Sequence, residues 1–167
     1  GAPQILGRLG PGPGRQNLVD QNIVKFRQSL LTEVMPRVER DFRVQTRRSD
    51  RAIAGLSMGG GESLYVGLND LDRFAWVGAF SAGLAERSLD TEFPASSARI
   101  NSQLRLLWVA CGKQDPVVGR FNRTLRAWFK AKGIHYVNIQ TPGMHTWMVW
   151  RNNLVAFAPL LFRKKGT

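Results

Sequence analysis

A single cysteine, Cys111, stands among the 167 residues, so no disulfide can form within the chain and the redox compartment stays open. Histidine is almost as scarce, with only His135 and His145 present. No cluster of His, Cys and carboxylate residues has metal-ligand spacing, which argues against metal chemistry. No apolar run approaches the ~20 residues that cross a bilayer, so no membrane span is expected. No phosphate loop or dinucleotide fingerprint is present. No basic-then-apolar leader is visible at the N-terminus, although the chain opens on Gly1 rather than Met, which leaves room for a longer N-terminal part. Secreted and cytoplasmic locations both fit. Acid is also missing from one region. The last acidic residue is Asp115, and residues 116–167 hold nine Lys or Arg, hence +9 of the net +12. Such a surface attracts polyanions of any kind, and a basic polyanion-binding module is one reading of the chain. Arg120, Arg123, Arg126 and Lys130 have helical spacing, which reads more simply as the solvated face of an amphipathic helix. No motif interleaves aromatic and basic residues, so a nucleic acid is not the expected partner.

What is present is a globular composition, with 43% hydrophobic residues, and a length that suits one domain with a real core. Residues 1–22 hold five Gly and three Pro and read as an irregular arm. Residues 23–167 read as a single domain. Ile23, Phe26, Leu30, Val34 and Val38 share one helical face, and Pro36 should kink or split that helix. Strands are expected at 52–56, 74–80, 104–110 and 135–140. Between and after them come helices from about Glu62 to Leu68, from Val118 to Gly133, and from Thr146 to Phe162, with a shorter one near 98–103. Strands alternating with helices mean a parallel sheet with right-handed crossovers, an α/β fold of about four parallel strands.

The stretch from Arg51 to Gly61 reads R-A-I-A-G-L-S-M-G-G-G. A short apolar run enters Gly55-Leu56-Ser57-Met58-Gly59, and an amphipathic helix follows. In that context G-x-S-x-G describes a nucleophile elbow, with Ser57 lifted clear of the sheet. Gly55 and Gly59 are expected to spare the turn Cβ clashes as strand and helix close on each other. A serine hydroxyl needs a base in contact, and that base needs a carboxylate to fix its tautomer. His145 sits in the loop Thr141-Pro142-Gly143-Met144-His145 and is the candidate base, whereas His135 begins a strand and reads as a packed or surface residue. Asp115 follows the third strand and is the candidate acid. It also suits a helix N-cap before Pro116, and the two roles are compatible. Ser57, Asp115 and His145 each follow a strand end, the rim where such sheets bind ligands. Cys111 reads as a buried strand-end thiol. Trp147 is a candidate for lining the acyl pocket, with packing against the sheet as the alternative.

The segments R-A-I-A-G-L-S-M-G-G, W-V-A-C-G-K-Q-D and P-G-M-H-T-W-M-V-W-R resemble the esterase D group of α/β-hydrolases, and within it the bacterial feruloyl esterases. The likeness runs from about Phe26 to Phe162. It implies a catalytic Ser57, Asp115 and His145, no cofactor, and hydrolysis of carboxylic esters such as feruloyl or acetyl groups on plant polysaccharides. Family members carry an N-terminal half that is absent here, so the expected architecture is a truncated α/β-hydrolase fold. In the resemblance Met58 supplies one oxyanion N–H, and the second comes from the absent half. The Gly-rich arm, Gly7 to Gly14, is a candidate substitute. The strand 52–56 should then be an open edge, which pairs with a second copy or with a missing N-terminal segment. A weakly active or non-catalytic hydrolase remnant is the alternative.

Overall fold

Four strands form one sheet in the order β1-β2-β3-β4, all parallel: β1 Ala52–Leu56, β2 Trp76–Phe80, β3 Leu106–Gly112 and β4 Val137–Thr141. The structure is a computed structural model that describes residues 14–84 and 88–163, with side chains from residue 21 onward. The described residues fall into two compact units that divide after Gln45.

The first unit is helical. Helix α1 spans Gly14–Ser29, so the irregular arm expected over residues 1–22 is corrected from Gly14 onward, and residues 1–13 lie outside the described residues. Most of the expected Gly-rich oxyanion arm falls in that outer stretch. Leu30–Val34 is a π-helical turn, and α2 continues over Met35–Asp41. Pro36, in the first turn of α2, has no N–H to give to the preceding turn. The ladder widens there, and Met35 N–H reaches back to Leu30 O. The expected disruption at Pro36 therefore takes the form of a π-bulge.

The second unit carries the sheet. Helix α3 (Met58–Asn69) follows β1, α4 (Leu89–Glu92) and α5 (Ser97–Gln103) follow β2, α6 (Gly119–Lys132) follows β3, and α7 (Trp147–Phe157) follows β4. Alternation along the strands builds two cores. Val77, Ala79, Leu107 and Val109 pack with Leu64, Leu68, Leu125 and Phe129 of α3 and α6. Phe80, Trp108 and Ala110 pack with Val149, Trp150 and Phe157 of α7 on the other face. Strand β2 is buried at every position because it has a strand on each side and helices on both faces. Strand β1 has no fully buried residue, and Ala54 is exposed, because β1 pairs only with β2 among the described residues. Its apolar sequence occupies an edge of the sheet with which no other described strand pairs. The basic stripe on α6 lies opposite Leu125 and Phe129, with Arg120, Arg123 and Lys130 exposed. No helix among the described residues is long and apolar enough to cross a membrane.

Candidate active site

The turn from β1 into α3 forces Ser57 to φ 54° and ψ −121°, a backbone conformation that costs a non-glycine residue about 1–3 kcal/mol. Hydrogen bonds pin it there. Ser57 N–H donates to Phe80 O at 2.9 Å, and Ser57 O accepts from Gly60, Gly61 and Gly83 N–H at 3.1, 3.1 and 2.9 Å. The close approach of strand to helix requires Gly55, where a Cβ would stand 2.3 Å from Gly59 O. Gly59 has open space around its own missing Cβ, so the expectation of a clash there is corrected. The second indispensable glycine is Gly61, whose Cβ would meet Gly83 O at 2.0 Å. Gly55→Ala is accordingly expected to lower the unfolding free energy by about 3 kcal/mol, while Gly59→Ala should be neutral or raise it by up to ~1 kcal/mol. Urea denaturation of the two variants checks this.

Past the end of β3, Asp115 is 6% exposed and its carboxylate caps the turn into α6. Oδ1 accepts from Val117 and Val118 N–H, both at 3.0 Å. Oδ2 lies 2.8 Å from His145 Nδ1. Burial pushes the Asp115 carboxyl up, but the Val118 N–H, His145, the Ser81 hydroxyl and the Val117 N–H together outweigh it and hold the group below the usual carboxylate range. A carboxylate so held only accepts, so Nδ1 carries the imidazole proton and Nε2 is left as the acceptor. His145 Nε2 lies 2.9 Å from Ser57 Oγ. The three groups expected from sequence thus form one hydrogen-bonded line, O–H to Nε2 and Nδ1–H to carboxylate.

A depressed carboxyl pKa has a thermodynamic consequence. Asp115 contributes stability above its unfolded pKa near 4, and that contribution is lost as pH falls through the lower folded value. The melting temperature of the chain should therefore fall more steeply than that of Asp115→Asn below about pH 4, as read by thermal denaturation across pH.

Two loops hold Asp115 and His145 in register. Lys113 N–H donates to Thr141 O at 2.8 Å and Gln114 N–H to Gly143 O at 3.0 Å, while Gly143 N–H donates to the Gln114 side chain at 2.7 Å. The His145 ring also packs edge-to-face with Trp150, with centroids 4.8 Å apart and planes at 88°. Gln114 and Trp150 are parts of the site that sequence reasoning did not assign. Trp150 follows His145 closely enough to have been a candidate, whereas nothing local marks Gln114. Cys111 is buried as expected, with Sγ 3.8 Å from Asp115 Oδ2, and burial followed by the Asp115 charge pushes its thiol up. His135 is exposed at the opposite end of β4, and its N–H is taken by Asn101 Oδ1 at 2.8 Å.

Met58 opens α3, so its N–H belongs to the helix N-terminus beside Ser57, where the first amides have no intrahelical acceptor. Trp147 is 73% exposed and lines an apolar groove of about 630 Å³ with Leu56, Phe80, Trp150, Arg151 and Leu154. It therefore does not pack into the sheet. No group of three or more His, Cys, Asp or Glu that could hold a metal occurs among the described residues.

Comparison with known proteins places the chain in a family. The family model described as "Putative esterase" matches residues 20–161. An endo-1,4-beta-xylanase/feruloyl esterase from Xylanibacter ruminicola is 28% identical over 140 residues, covering 83% of this chain and 18% of that protein. Among solved structures, a CE1 ferulic acid esterase from Anaeromyces mucronatus in complex with ferulic acid aligns with TM-score 0.70 and 25% identity, over 89% of this chain and 55% of that one. The enterobactin esterase of Shigella flexneri shares the fold, with TM-score 0.64 and 23% identity, over 82% of this chain and 37% of that one. The chain thus spans about a fifth of the curated relative and little more than half of the ferulic acid esterase. With a matching family model over most of its length, the chain belongs to the esterase family so described.

Proposed function

We propose that this chain is a serine carboxylic-ester hydrolase that works through an acyl-enzyme. The observation that carries the reading is His145, whose two ring nitrogens lie 2.9 Å from Ser57 Oγ and 2.8 Å from Asp115 Oδ2. Ser57 Oγ attacks the ester carbonyl carbon as its proton passes to His145 Nε2. Asp115 stabilises the resulting imidazolium and keeps its orientation. Negative charge on the carbonyl oxygen falls at the N-terminus of α3, where Met58 N–H and the helix dipole favour it. Collapse breaks the ester C–O bond, and His145 returns the proton to the leaving alkoxide. Water then repeats the sequence and frees the carboxylic acid and Ser57. No cofactor enters any step.

The groove, whose lining includes Leu56, the residue before Ser57, favours an apolar acyl group, with Trp147 as a contact for it; a feruloyl or short-chain acyl ester, free or on a polysaccharide, suits these surroundings. The open edge of β1 supports a further part of the proposal. An additional extended segment, of the kind the longer relatives have room for, pairs with β1 and brings the second oxyanion donor. The same edge favours the second reading, a weakly active remnant, for the chain on its own. A burst of p-nitrophenol from p-nitrophenyl acetate, absent in Ser57→Ala, tests the esterase reading.

A further inference from the structure

Ser81 stands at the end of β2 with φ 44°, one of three described non-glycine residues at positive φ. Another of the three is Ser57 itself. Ser81 is fully buried, and its N–H donates to Ala110 O at 2.6 Å, which ties the end of β2 to β3. Its hydroxyl lies near enough to the Asp115 carboxylate to help hold it ionised, yet as oriented it completes no well-formed hydrogen bond, an expensive condition for a buried polar group. Glycine would hold this backbone without strain, so a side chain here is retained against a cost.

The need this side chain meets is visible on Asp115. A carboxylate offers about four acceptor sites. Oδ1 uses two on Val117 and Val118 N–H, and Oδ2 uses one on His145. The remaining site has only the Cys111 thiol, a weak donor at 3.8 Å. Both Asp115 and Cys111 lie close enough to the Ser81 hydroxyl for it to favour their charged forms.

We infer that Ser81 is a positioning residue for Asp115: its hydroxyl rotates to donate to the open acceptor site of Oδ2 and fixes the carboxylate against His145 when the imidazole becomes cationic. The donor is unmet and the acceptor is underused, and both are buried at adjacent strand ends. Ser81 touches no substrate and acts through Asp115. The inference rests on the esterase reading for its kinetic effect, but its structural content does not.

The test compares Ser81→Gly with Ser81→Ala. Both remove the hydroxyl, while only glycine removes the backbone strain. Positioning by the hydroxyl predicts that both variants lose about tenfold in kcat toward p-nitrophenyl acetate, with KM within about twofold of the parent, although Ser81→Gly melts higher than Ser81→Ala. It also predicts that the low-field proton resonance of His145 Nδ1–H moves upfield in both. Parental kcat in Ser81→Gly, or kcat that follows melting temperature across the pair, overturns the inference. So does an unmoved resonance. A parent chain without turnover refutes the esterase reading instead, and the resonance then decides the role of Ser81 alone.

Discussion

Ser57→Ala is expected to abolish the p-nitrophenol burst and to lower kcat by about 10⁴-fold or more, with little change in melting temperature. The size follows from how the three groups are linked. In the proposed mechanism Asp115 orients His145, and His145 has no proton to take unless an Oγ–H stands at 2.9 Å. Removing the hydroxyl leaves the Met58 N–H and the groove to act on water alone. His145→Ala should cost nearly as much, and the double variant no more than either single one, because the residues act as a unit. Stopped-flow absorbance at the p-nitrophenolate band reads both the burst and the steady state. A steady rate with no burst in the parent, unchanged by Ser57→Ala, would reduce the site to a hydrogen-bonded relic.

Covering the free side of β1 is expected to raise kcat by about 10²- to 10³-fold, the usual worth of one oxyanion donor. The described residues offer the Met58 N–H at the start of α3 and a groove lined in part by Ala54, Gly55 and Leu56. An apolar parallel strand without a charge or proline on its free side invites pairing. The purified chain should therefore elute as a dimer or larger species, despite the mutual repulsion of copies that each carry +12. Adding in trans the portion of the Anaeromyces mucronatus ferulic acid esterase that this chain does not cover should displace self-association, raise the melting temperature and raise kcat. Size-exclusion chromatography with light scattering, run beside the ester assay, checks all three. A soluble monomer at high concentration that ignores the added segment would count against an unfilled edge.

The parts of the molecule legible in the sequence were those fixed by local pattern. Ala52–Leu56 gave β1 to the residue, because an apolar run between Arg51 and a G-x-S-x-G turn has few other solutions. The three strand-end residues could be named because parallel strands bring their carboxyl ends to one rim. Strand starts were less legible, since they depend on which backbone groups are already spent. Strand β3 begins at Leu106 rather than 104, because Leu104 N–H still closes the last turn of α5 on Ile100 O. Strand β4 begins at Val137 rather than 135. The amides of Ile134 and His135 serve the end of α6 and the Asn101 side chain. Helix α1 was obscured by the Gly and Pro that precede it, and Gly14 stands at its first position, where helix propensity matters least. Ser81 was invisible for a different reason. Its role needs a positive φ at a residue that is not glycine, and partners reached only through the fold.

The side-by-side strand register gives the site one more property. Leu56 lies opposite Phe80, and Phe80 opposite Ala110, so Ser57 reaches His145 only when every pair is in step. Sliding β1 by a single residue would carry Ser57 about 3.3 Å along the strand axis, above or below the rim and out of contact. Labelling of Ser57 by a fluorophosphonate would then act as a gauge of alignment, reporting which fraction of a preparation has its strands correctly threaded before any substrate is known.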